Sequence, residues 1–168
     1  MRDSTSPTML PTDRQPVIMV VDDEDMVLVS IKSFLMLETD FEVITCNGPL
    51  KAIEALNQRV IDLVISDYLM PEMDGISFLL QVKKRQPHAI RILLTGYADK
   101  ENAIKAINEV GLYQYIEKPW QNADLKLIID NGLEKRFLIE RLQQKISEVQ
   151  MAKESLQQIQ DQIIKAFM

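Results

Sequence analysis

Five short apolar runs, each followed by a segment whose apolar residues recur at helical spacing, constrain this chain more than any other feature. The runs occupy residues 17–21, 41–46, 63–66, 91–95 and 113–116. Several are apolar nearly throughout, as strands of a parallel sheet covered on both faces should be. The segments between them are amphipathic. Asp99 is placed to N-cap a helix carrying Ala103, Ala106, Ile107 and Val110 on one face. Asn47-Gly48-Pro49 opens another, bearing Ala52, Ile53 and Leu56, and residues 27–37 and 76–84 complete the alternation. A repeat of this kind predicts a doubly wound α/β domain with right-handed crossovers.

Acids stand where two of these runs stop. Asp67 ends Leu63-Val64-Ile65-Ser66 and is followed by a loop punctuated by Pro71 and Gly75. Asp22 and Asp23 follow the run at 17–21. Ligands of open parallel sheets bind at the carboxyl ends of the strands. Three carboxylates gathered there repel one another unless a hard cation sits among them. The expectation is a Mg²⁺-dependent acidic pocket in which Asp67 is the special residue.

Charge and composition narrow the function classes. A formal charge of −6 and a pI near 4.9 argue against nonspecific nucleic-acid binding, which needs a basic surface. No stretch is apolar enough to span a membrane and no signal peptide is visible, which fits a cytoplasmic location. Cys46 is the only cysteine, so no intrachain disulfide can form. Residues 1–15 are polar, carry Pro7 and Pro11, and read as a disordered tail.

The last part of the chain differs. From residue 122 onward there is no proline, Gly132 is the only glycine, and 7 basic residues balance 7 acidic ones. Val149, Ala152, Leu156, Ile159, Ile163 and Ala166 alternate three and four apart, the spacing of a coiled-coil seam. Leu138, Leu142 and Ile146 are spaced by four, which indicates a stutter. The preferred reading is a long helix that pairs with a second copy; a single helix folded back on its own domain is the other. The apolar end, with no stop signal, points to a helical extension over 136–168 that leads into a missing output domain.

Asp22-Asp23, Asp67, Thr95 and Lys118-Pro119 fall at or just beyond strand ends, in that order. The pattern resembles the receiver domain of two-component response regulators, over about residues 16–135. The resemblance implies a flavodoxin-like sheet of order 2-1-3-4-5. It implies that Asp67 accepts a phosphoryl group from a histidine kinase or phosphotransfer protein. Asp23, Asp67 and the Leu69 backbone carbonyl would hold Mg²⁺, with Asp22 acting through water or by orienting its neighbours. Lys118, before a cis proline, would supply a compact positive charge. Thr95 and Tyr115 would be the switch pair, biasing the surface of the fourth helix, fifth strand and fifth helix. The family's positions that tune phosphoryl hydrolysis are Leu69 and Tyr97 here. Leucine cannot hydrogen-bond an attacking water and the Tyr97 ring would screen it, so slow self-dephosphorylation is expected and no other enzymatic activity.

The runs 94–99 and 115–120 resemble receivers fused to HD-GYP phosphodiesterases or belonging to transcriptional activators, although no such output motif is present. A haloacid-dehalogenase-like phosphohydrolase also uses a strand-end aspartate, but it wants an acid where Leu69 stands. A nonphosphorylated coiled-coil adaptor is disfavoured by the intact acids and Lys118. No helix-turn-helix follows the domain, so direct DNA binding by this chain has no support. His88 in its polar loop and Cys46 at a strand end read as structural. Trp120 packs on Pro119 or meets a partner.

Overall fold

The computed structural model describes residues 14–168, the Tyr97 side chain excepted. Most of the expected tail over 1–15 therefore lies outside the described residues. Of that segment, Arg14 donates from both terminal nitrogens to the buried Asp62 carboxylate, at 2.8 and 2.7 Å.

In chain order the elements are β1 (Val17–Asp22), α1 (Asp25–Glu38), β2 (Glu42–Asn47), α2 (Pro49–Gln58), β3 (Leu63–Asp67), α3 (Gly75–Arg85), β4 (Ile90–Thr95), α4 (Lys100–Val110), β5 (Gln114–Glu117) and α5 (Asn122–Ala166). The five strands form one parallel sheet of order β2-β1-β3-β4-β5. This is the doubly wound, flavodoxin-like order expected from the sequence.

Alternation along the strands sends side chains to two apolar layers. Met19, Val21, Val64 and Leu93 join Ala52, Leu56, Phe78, Leu79, Ala103 and Ala106 in the core beneath α2, α3 and α4. Ile18, Val20, Ile65 and Ile92 point the other way, and Leu28, Ile31 and Leu35 of α1 and Leu125, Ile129 and Leu133 of α5 are buried with them. Burial on both faces is why β1 and β3 read as unbroken apolar runs.

The starts of α2 and α3 follow local chemistry, and that of α4 does not. Pro49 occupies the first turn of α2, where its missing N–H is no loss. Asp74 caps α3 by accepting from Ser77 N at 2.7 Å. Asp99 does not cap α4 as its position promised. Its backbone is already helical, at φ −101° and ψ −2°, and its side chain makes no cap bond. A 3₁₀ turn over Tyr97–Asp99 winds the chain one step early, with Asp99 N donating to Gly96 O at 3.2 Å.

The far end of α4 is tied down. Gly111 takes the left-handed conformation (φ 64°) that glycine adopts without penalty. Arg91 Nε donates to Val110 O at 3.1 Å and Nη2 to Gly111 O at 3.2 Å, while Nη1 donates to Pro87 O and Ala89 O. Lys83 Nζ donates to Glu109 O at 3.2 Å. These cations meet the carbonyls a helix leaves unpaired at its end.

The chain divides into two compact units, the first ending at Arg136 and the second comprising Phe137–Met168. The second is helical through Ala166. Within it Leu142, Ile146, Val149, Leu156, Ile159 and Ile163 are all exposed. Among the described residues, no helix is long and apolar enough to cross a membrane.

Candidate functional site

Register brings the acids together. β1 and β3 pair Val21 with Ser66, so the next step sets Asp22 beside Asp67 at the carboxyl edge. The chain leaves β1 toward β2 on one side and later returns on the other as β3. The crevice between these strand ends is the topological switch point where such sheets bind ligands.

One ligand oxygen each from Asp22, Asp23 and Asp67 lies within 4.8 Å of the others. Asp22 is fully buried and Asp67 nearly so, while Asp23 is exposed. Lys118 Nζ reaches between two of them, 2.9 Å from Asp67 Oδ1 and 3.3 Å from Asp22 Oδ2. The Lys118–Pro119 bond is cis, as expected. Asp67 Oδ1 also accepts from Tyr68 N at 3.0 Å, and Asp22 Oδ1 accepts from Glu24 N at 2.9 Å. Asp67 Oδ2 accepts no hydrogen bond among the described residues. It keeps the lone pairs that an attacking oxygen needs.

Three carboxylates against one ammonium leave the cluster electrically unbalanced. Burial, opposed by the Glu24 N–H and Lys118 and reinforced by Asp67, pushes the Asp22 carboxyl up to about 6. Burial raises Asp67 as well, against the pull of Lys118. Burial also works against the Lys118 ammonium, but its two carboxylate partners more than reverse that, and its pKa is raised. An all-oxygen donor set with uncompensated negative charge fits a hard divalent cation such as Mg²⁺.

Thr95 ends β4 one step beyond Leu94, the residue paired with Asp67. It is fully buried, and its Oγ1 has no hydrogen-bond partner. Its carbonyl accepts from Lys118 N at 2.8 Å, which ties the two site residues through the backbone. Tyr115 on β5 is half-buried at the edge of the α2–α4 core. Leu69 is 62% exposed, and the Tyr97 side chain lies outside the described residues. Trp120 Nε1 donates to Asn122 Oδ1 at 3.3 Å, at the start of α5.

Two features of the site were not legible as such. Gly75 read as loop punctuation, yet its backbone lies against Asp67. A Cβ there would sit 2.1 Å from the Asp67 carbonyl oxygen and 2.9 Å from a Leu93 methyl. Glu72 has φ 74°, and Met73 N donates across it to Pro71 O at 2.8 Å. That is a γ-turn with positive φ at its centre, a rare and strained form. No local pattern signals either; both arise where α3 is fitted against the end of β3.

Residues 18–130 match the response regulator receiver domain family. The hydrogenase transcriptional regulatory protein HoxA of Cupriavidus necator is 36% identical over 109 residues, 65% of this chain and 22% of that protein. The regulatory protein AtoC of Escherichia coli K12 is 33% identical over 117 residues, 70% of this chain and 25% of the relative. This chain thus spans about a quarter of the curated relatives' length. Among solved structures, the signal receiver domain of an HD domain-containing protein from Pseudomonas fluorescens Pf-5 superposes with a TM-score of 0.70 at 34% identity, covering 74% of this chain and 98% of that one. With its sheet order, its acid cluster and this match over more than half its length, the chain belongs to the response regulator receiver domain family.

Proposed function

We propose that the chain takes a phosphoryl group from a phosphohistidine donor onto Asp67. The observation that carries this reading is the free Oδ2 of Asp67 beside two other carboxylates and the Lys118 ammonium. Oδ2 attacks phosphorus, the P–N bond breaks with its electron pair going to the imidazole, and an acyl phosphate forms. Asp22, Asp23, Asp67 and the Leu69 carbonyl are the residues that would hold Mg²⁺, which when bound neutralises charge on the phosphoryl oxygens. Lys118 supplies positive charge to the same oxygens. It already bridges Asp67 and Asp22, so little movement is required of it.

Thr95 is the natural reporter of the new group. A buried hydroxyl without a partner costs about 1–3 kcal/mol. Donating to a phosphoryl oxygen removes that cost, so Thr95 favours the phosphorylated state. Its displacement frees space beside Tyr115, and inward turning of that ring remodels the α4, β5 and α5 surface. The exposed seam of Phe137–Met168 supports pairing with a second copy of the helix, and the relatives' greater length supports a fused output domain. Leu69 offers no acid at the position where the phosphohydrolase reading wants one.

The test is to treat the protein with acetyl phosphate and Mg²⁺, with Asp67→Asn as control, following phosphate incorporation and solution mass together. Wild type should take up one phosphate, stoichiometrically and only with the metal. Equal uptake by Asp67→Asn would overturn the site assignment, and an unchanged monomer in both states would overturn the pairing.

A further inference from the structure

From Arg141 onward every residue of α5 is exposed. A helix draws most of its stability from packing one apolar face, and on this stretch that face is open. The helix is unbroken through Ala166, so a single heptad register can be followed along it. Leu142, Val149, Leu156 and Ile163 stand seven apart and take the a places, each more than half exposed. Lys145, Ala152, Ile159 and Ala166 take the d places. The four-residue step from Leu142 to Ile146 is therefore no stutter. Lys145 holds the d place there, and Ile146 lies beside it at e.

The charges flanking the seam carry a direction. Glu148 is at g, and Lys153 is at e of the next heptad. Within one chain Glu148 Oε2 accepts from Lys145 Nζ at 3.3 Å, with both side chains largely exposed. Lys153 has no ion-pair partner among the described residues. In a parallel, in-register pair each g residue faces the e residue five places on in the other helix. Glu148 of each copy then meets Lys153 of the other. Charges at these places set partner choice and orientation.

An antiparallel pair sets g against g, e against e, and a against d, so Glu148 never meets Lys153. In the antiparallel register that matches the whole seam from Leu142 to Ala166, Lys145 is pressed onto Ile163 of the other helix. An ammonium set against an apolar side chain is costly. In the parallel register Lys145 faces only its own counterpart. Its stem covers the seam while its head stays with Glu148. One lysine at a core place fixes register at a cost in stability.

We propose that this part of α5 pairs with a second copy as a parallel, in-register two-stranded coil, its direction and register set by Lys145 and the Glu148–Lys153 pairs. It rests on the pairing of Phe137–Met168 proposed above, and gives that pairing a direction and a register.

The experiment uses the full chain, before and after treatment with acetyl phosphate and Mg²⁺. Cys46 is buried, so a cysteine placed on the helix is the reactive one. In a glutathione redox buffer Ala152→Cys should form a disulfide-linked dimer with itself, because facing d residues of a parallel pair stand within disulfide reach. Met151→Cys, on the far side of the helix, should not. Glu148→Lys and Lys153→Glu should each self-associate about tenfold more weakly than wild type in sedimentation, since attractive contacts become repulsive ones. Mixed, the two variants should pair with each other at close to wild-type strength, each supplying the charge the other lacks. Linking only in mixtures of Ala152→Cys with Leu156→Cys or Ile163→Cys would mark an antiparallel pair, overturning the proposal and leaving the pairing intact. Charge variants that self-associate as wild type does, or that gain nothing from mixing, would overturn it as well. A protein monomeric in both states overturns it together with the pairing on which it rests.

Discussion

Replacing Asp22 by asparagine should stabilise the metal-free protein. The Asp22 carboxyl is fully buried and titrates near 6 in the folded state, against an ordinary value of 3.8. A raised acid pKa means that the folded chain holds its proton more tightly than the unfolded chain does. Below the unfolded value the group contributes nothing. Stability is lost as pH rises through the interval from 3.8 to about 6, and above it the folded state bears the whole cost of a buried charge. A shift of this size corresponds to about 3 kcal/mol, a figure that already includes the help from Lys118. Asparagine keeps an oxygen for the Glu24 N–H and carries no charge. Urea unfolding at pH 7.5 in EDTA should therefore show a gain of about 1–3 kcal/mol for Asp22→Asn. At pH 5, where the wild-type carboxyl is largely protonated, the gain should fall by roughly half. Millimolar Mg²⁺ should narrow it by stabilising the wild type. An Asn variant that is less stable than wild type in EDTA at pH 7.5, or a gain indifferent to pH, would refute the electrostatic reasoning.

Gly75→Ala should cost about 2–4 kcal/mol, because the added methyl meets backbone rather than a side chain that can yield, and urea unfolding will show it. Glu72→Gly should gain about 1 kcal/mol in the same assay by relieving positive φ. Arg91→Met should cost about 2–3 kcal/mol by stripping donors from four carbonyls, with hydrogen exchange accelerated first at the end of α4. Leu69→Asn should shorten the life of the phosphorylated protein, since an amide can orient a water that leucine cannot; a lifetime equal to or longer than wild type in a phosphate-release assay would count against the tuning role.

Strand positions were readable to within one residue, most sharply in β1, β3 and β4, where burial on both faces leaves little but β-branched and aliphatic residues in each run. The acid cluster was readable because strand ends in a parallel sheet converge at one edge. What escaped was tertiary. Asp99 has the composition of a cap, but whether a helix starts there depends on how the chain leaves Thr95. Gly75 looks like any loop glycine until α3 is set against β3. The Asp62, Arg14 and Arg136 cluster joins residues 48 and 74 positions apart, and no local pattern couples them. Thr95 was singled out by its order among the motifs, yet its unpartnered hydroxyl depends on the surrounding core.

The unequal ends of α4 give that helix the mechanics of a lever. Its fulcrum is the Arg91 guanidinium, which together with Lys83 and Gly111 clamps the last turn. Its other end begins a few residues after Thr95 without a side-chain cap, held more loosely by a part-exposed ion pair, Lys100 Nζ lying 3.6 Å from Glu117 Oε2. An 11-residue helix is about 16 Å long, so a tilt of roughly 10° about the clamp carries the first turn by about 3 Å. With the clamp at the other end, the same tilt would leave the first turn in place and swing the region around Gly111 instead. The anchoring thus decides which part of the surface can travel: the stretch beside β4 and β5 that Thr95 and Tyr115 adjoin.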